Sequence, residues 1–172
     1  MKITDLQPTE YAPYQGSYLT TIDDTYSLTE EMEISVHRFI HFVQDIPMDK
    51  HEYRYAEGKW TIKDIIQHVI DAERIFAYRA LRFSRNDATA LPGFDENSYV
   101  DSTKADQRKL QDLLTELSLV RHANIALFKS FTPEDLLKTG IASGYAASVR
   151  ALGFMIIGHQ NHHMKIFKER YL

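Results

Sequence analysis

Three times along this chain a hydroxyl residue is followed, three positions later, by an acid at the head of a long amphipathic stretch. The three are Ser27-Leu28-Thr29-Glu30, Thr61-Ile62-Lys63-Asp64 and Thr103-Lys104-Ala105-Asp106. In each, the hydroxyl can accept from the backbone N–H of the acid while the acid reaches back to the N–H of the hydroxyl residue. Two of the orphan donors at a helix start are then satisfied together. Trp60, just before the second box, is placed to staple onto Ile65 and fix how the chain enters that helix. A fourth box, Thr132-Pro133-Glu134-Asp135, has proline at the first helical position and predicts a short helix ending before Gly140.

Apolar residues recurring at helical spacing extend these starts into four long helices, over about 28–45, 62–83, 104–131 and 149–171. Their stripes run through Val36 and Phe39, Ile66 and Ile70, Leu113 and Leu117, and Leu152 and Ile156. No period-2 strand pattern of useful length competes. The prediction is an all-α chain, a four-helix bundle in one domain over residues 1–172, a length that can bury a core without staples. The connection over 84–102, SRNDATALPGFDENSYVDS, is long for a compact bundle, and loops of that kind are commonly functional. It can also cross the whole bundle, which would leave the second and third helices parallel. Phe94 and Tyr99 within it are candidates for lining a substrate opening, whereas Tyr11, Tyr14 and Tyr18 are placed on the exterior.

The chain has no cysteine, so disulfides, thiolate ligands and a cysteine nucleophile are impossible and a cytoplasmic setting is expected. Net charge is −4 and no Lys/Arg block stands out, which argues against nucleic acid or an anionic membrane as partner. The N-terminus has no apolar run of the secretory type, and no stretch approaches the roughly 18 apolar residues of a membrane helix.

Among eight histidines, two pairs have i, i+4 spacing: His37/His41 and His159/His163. Such a pair leaves one side of a helix, and the question is which side. With Leu152 set at 0° on a helical wheel, His159 falls at about 340° and His163 at about 20°, in the middle of the apolar stripe. His37 and His41 fall at about 100° and 140° from Val36, off their stripe. Two inward imidazoles are either metal ligands or core histidines hydrogen-bonded to neighbours. His162 lies at the stripe edge, as a substitute ligand or a surface group.

A mononuclear site needs a third protein ligand, and the second helix offers His68. It sits about 60° from Ile65, off the stripe centre, but its axial level is favourable. His68 lies roughly 10 Å from the start of its helix and His163 roughly 12 Å from the end of the fourth, levels that coincide if those helices are antiparallel. An up-down-down-up bundle makes them so. Three neutral imidazoles would leave a coordination position open for a water or a thiol. Glu73 and Arg121 also point inward. They are either an interhelical ion pair or, for Glu73, an acid/base group beside the ligands.

GKWTIKDIIQHVIDAERIF, LPGFDENSYV and SVRALGFMIIGHQNHHMKIF, in that order, resemble the DinB-like (damage-inducible) superfamily of bacterial four-helix proteins over essentially the whole chain. The resemblance implies that His68, His159 and His163 bind one divalent metal ion; zinc or nickel is expected before manganese or iron, although imidazole accepts all four. It also implies up-down-down-up topology, frequent homodimers and no DNA binding. The activities it implies are low-molecular-weight thiol S-transfer of the bacillithiol type, thiol-dependent isomerisation and metal-dependent hydrolysis. The expected function is a metal-dependent transferase or hydrolase acting on a small molecule, with a non-catalytic metal-binding or stress-response bundle as the alternative.

Overall fold

The computed structural model describes all 172 residues. Three short 3-10 turns and a one-turn helix α1 (Gly16–Leu19) lead into α2 (Leu28–Gln44). Then come α3 (Ile62–Ser84), the short α4 (Glu96–Ser102), α5 (Leu110–Lys129) and the one-turn α6 (Pro133–Leu137). A hairpin of β1 (Thr139–Ala142) and β2 (Tyr145–Ser148) precedes α7 (Val149–Arg170). Helices α2, α3, α5 and α7 form a four-helix bundle, and no helix is long and apolar enough to cross a membrane.

Three of the four cap signals operate. The Thr61 backbone N–H donates to Asp64 Oδ2 at 2.9 Å, and Asp64 N–H donates back to Thr61 Oγ1 at 3.1 Å. Thr132 and Asp135 repeat this at 3.0 and 3.1 Å. Ser27 N–H donates to Glu30 Oε2 at 2.9 Å. The Thr103 box does not form, which corrects the expected start of the third long helix. Thr103 instead closes α4: its N–H bonds to the Tyr99 and Val100 carbonyls and its hydroxyl donates to Val100 O. The orphan carbonyls at the end of α4 claim the residue that could have capped the next helix. The chain passes a 3-10 turn at Ala105–Gln107 and stays extended through Arg108, whose guanidinium reaches Gln67 and Glu116. α5 therefore begins at Leu110.

The hairpin is a second correction, since no strand was expected. Its strands are four residues long and their small and polar residues alternate weakly. Its turn residues Ser143 and Gly144 both have left-handed backbone, φ 53° and 83°, as a two-residue hairpin turn of matching twist requires. Long-range bonds complete it. Leu91 N–H donates to Ile141 O and Ser143 N–H to Leu91 O, so the long crossover pairs with β1. No window confined to the hairpin contains that partner.

In the bundle α3 packs on α5 and α7, and α2 packs on the same two. Lys63 Nζ donates to Asp106 O and Arg108 to Gln67, so the beginnings of α3 and α5 lie together. Lys129 pairs with Glu33, bringing the end of α5 to the beginning of α2. The Phe39 and Phe42 rings lie 6.2 and 6.4 Å from Phe167, late in both α2 and α7. Tyr171 donates its hydroxyl to Trp60 O, so α7 ends where α3 begins.

Two apolar clusters fill the interior. One gathers Leu28, Met32, Phe76, Phe83, Phe128 and Phe154; the other gathers Phe39, Ile66, Ile70, Leu113, Leu117 and Phe167. Between them lies a buried polar layer centred on Arg121, which is fully buried. Arg121 Nε and Nη2 donate to Glu73 Oε1 and Oε2 at 2.7 and 3.0 Å. Nη1 donates to Met32 O and Ser35 Oγ, and Nη2 also to Gln160 Oε1 at 2.8 Å. Removing one partner of such a pair strands the other charge. Arg121→Ala is expected to lower the unfolding free energy by about 3–5 kcal/mol. Lys165→Ala, which breaks the exposed Lys165–Glu169 pair, should change it by less than about 1 kcal/mol. Urea denaturation of the two variants checks this.

Candidate metal centre

α3 presents His68 two turns after its Thr61 cap, and α7 presents His159 and His163 one turn apart. Because α7 ends where α3 begins, the three side chains arrive at one level. They are 3%, 7% and 7% exposed. His68 Nε2 lies 3.0 Å from His159 Nε2, which lies 3.1 Å from His163 Nε2. The potential ligand atoms of all three fall within 4.8 Å of one another.

This packing is unfavourable for three imidazoles alone. His159 Nε2 has a single in-plane direction, along which it can donate or accept one hydrogen bond, yet it has two close nitrogen neighbours. It can make only one well-aligned hydrogen bond, so at least one of the two contacts is left without one. His163 Nδ1 is in addition buried without a partner. A cation between the rings would accept all three lone pairs at once. Two nitrogens bound tetrahedrally at 2.0–2.1 Å stand about 3.4 Å apart, close to the separations here. Burial also favours the neutral, ligating form of the rings. It lowers His68 from 6.5 to about 4, and it pushes His163 and His159 well below 6.5, with nearby rings adding to the effect. The group could therefore hold a divalent ion.

The histidines border a cavity of about 350 Å³. Aromatic rings wall it: Trp60 lies 4.9 Å from His68, while Phe76 and Tyr18 each approach His159 edge-on at 5.9 Å. Tyr18 reaches this place because α1 lies directly on α7 at Gly158, where a Cβ would sit 2.8 Å from the Tyr18 carbonyl oxygen. Phe94 from the crossover and the charged Arg79 and Glu96 also line it.

His37 and His41 are exposed, as the wheel analysis expected. His162 is half-buried, with its ring 4.6 Å from Tyr18 and 5.2 Å from His163. Both oxygens of Glu73 are taken by Arg121, with Asn124 donating to Oε1 as well, and Glu73 does not line the cavity. Two placements are corrected. Tyr18, expected on the exterior, lines the cavity, with the exposed Tyr14 at its rim, while Tyr99 lies behind Phe94 at 5.0 Å and does not. Trp60 packs over His68. Arg79 escaped notice although a signal existed: it lies about 20° from His68 on the wheel of α3, and a cation on the face of a candidate ligand is informative.

The family model of the DinB superfamily matches residues 31–167. Among solved structures, YfiT from Bacillus subtilis is similar in fold, with a TM-score of 0.75 over 93% of this chain and 91% of its own, at 14% identity. YfiT is described as a probable metal-dependent hydrolase with an unusual four-helix bundle topology. No curated protein matches.

The buried histidines give the metal-free protein a defined acid sensitivity. In the unfolded chain His68 takes up its proton near 6.5, and in the folded one only near 4. Between those values the unfolded state binds more protons, so stability falls as pH falls. In the presence of chelator the urea midpoint should decline from pH 6.5 towards 4, and less steeply in His68→Asn. Parallel slopes for the two proteins would contradict the assignment.

Proposed function

The chain belongs to the DinB superfamily, and on that premise we propose that it is a divalent-metal-dependent enzyme, a hydrolase or a low-molecular-weight thiol S-transferase, in which His68, His159 and His163 hold the ion. The observation that carries this reading is the meeting of three Nε2 atoms, two pairs of them at 3.0 and 3.1 Å, at the wall of an aromatic cavity. The description of YfiT supports the hydrolase branch. Zinc, nickel and iron suit the all-imidazole donor set, and manganese suits it less. Bound there, such an ion would serve as a Lewis acid that acidifies a water or a thiol.

The protein's own part is to fix the rings and keep bulk water out. Trp60 and Phe76 cover His68 and His159, so the site has a low local dielectric in which charge interactions strengthen. Glu73 serves packing through Arg121 rather than proton transfer. With no cysteine in the chain, the sulfur in any thiol transfer arrives with a co-substrate. The pairing of helix ends supports up-down-down-up order, which is what brings His68 level with His163. We read residues 1–172 as one domain.

Elemental analysis of tag-free protein should find stoichiometric divalent metal, and His68→Ala and His163→Ala should each lose it along with thermal stabilisation by added zinc or nickel. Turnover of an electrophile only when a low-molecular-weight thiol is supplied marks a transferase, and ester or amide turnover without thiol marks a hydrolase. Metal retention with neither turnover would favour a non-catalytic bundle. A wild type that holds no metal and gains no stability from any divalent ion would sink the reading.

A further inference from the structure

Arg79 stands three helical turns beyond His68 on nearly the same face of α3, about 16 Å along the axis. Its side chain is 6% exposed and lines the same cavity as the histidines. A buried guanidinium is ordinarily matched by an acid, as Arg121 is by Glu73, because an unpaired charge out of water is costly. Arg79 has no such partner. Its Nη2 donates to Pro92 O and to Ser143 Oγ, both at 2.9 Å and both neutral, and no protein acceptor takes its Nε or Nη1 hydrogens. Burial lowers its pKa, and the opposing influence is the Tyr14 phenol rather than a carboxylate. Glu96, the carboxylate of the cavity, is perturbed by burial and Asp95 and not by Arg79.

Two distant segments orient this one cation. Pro92 comes from the crossover and Ser143 from the hairpin turn. Ser143 has φ 53°, the left-handed conformation that its hairpin turn requires, and the turn thereby fixes where the hydroxyl points. Helical side chains lean towards the helix N-terminus, so the guanidinium reaches back towards His68 and ends on the order of 10 Å from the histidines. Phe76 and Phe94 line the cavity between.

We propose that Arg79 binds a carboxylate on the substrate, so that the cavity takes an elongated acid with an apolar middle whose reacting group lies at the histidine end. The substrate class rests on the enzymatic reading above, whereas the anion site itself needs no metal. The probes are 5-phenylvalerate and its uncharged amide, titrated calorimetrically into chelator-treated wild type, His68→Ala, Arg79→Gln and Ser143→Ala. Wild type and His68→Ala should bind the carboxylate on the order of tenfold more tightly than the amide. Arg79→Gln should abolish that preference. Ser143→Ala, which keeps the charge and frees the guanidinium, should weaken it, and this second variant serves if Arg79→Gln does not fold. Equal affinities in wild type, no binding of the carboxylate at millimolar concentration, or a preference undiminished in the Arg79 or Ser143 variant would overturn the proposal. Zinc titration of the same proteins reads the metal site separately, so loss of the metal reading with the preference retained leaves the anion site standing.

Discussion

The Arg121 guanidinium touches all three of the other bundle helices. It grips Glu73 on α3, the Met32 carbonyl and Ser35 on α2, and Gln160 on α7, while Gln160 Nε2 donates to the Ser35 carbonyl. Apolar clusters above and below can slide with little loss, because dispersion and burial are not directional. Hydrogen bonds to a planar charged fork cannot, since a small shift strands a charge. The polar layer therefore sets register where the two clusters alone would tolerate several. A buried ion pair need not add stability over an apolar substitute, and its consequence here is positional.

That register reaches the histidines directly. His159 is the neighbour of Gln160, His163 lies three residues on, and His68 lies five residues before Glu73. Fixing the phase and height of α3 and α7 at Glu73 and Gln160 fixes where the three rings meet. Two of the buried charged residues of α3 have opposite fates. Glu73 is fully paired and faces the polar layer; Arg79, lacking an acid, faces the cavity. Aromatic rings from α1, α3 and the segment before α3 enclose the space between Arg79 and the histidines.

The helices were legible because their signals are local. A hydroxyl and an acid three residues apart satisfy donors within one turn, and a stripe at helical spacing shows which face is buried. The same locality exposed the inward His159/His163 pair and the outward His37/His41 pair. Where two local signals competed, the outcome was hidden. Thr103 could start one helix or end another, and the orphan carbonyls of α4 took it. The hairpin had only weak alternation of its own and is completed by Leu91, some fifty residues earlier. Tyr18 looked peripheral because no helix period governs the N-terminal segment. Its position follows from the contact of α1 on Gly158.

The sequence by itself determined the helical class, the cap positions of three helices, the inward face of α7 and the inward direction of Glu73 and Arg121. Each follows from spacing within a single helix, which short-range sterics and hydrogen bonding dictate. Only the tertiary structure decided that three imidazole nitrogens crowd within hydrogen-bonding distance, that a tyrosine and a tryptophan cover them, and that Arg79 keeps its charge without an acid. Those are properties of the space between helices. That space is set by the register of α3 against α7 and by two distant segments, Pro92 and Ser143, converging on one side chain.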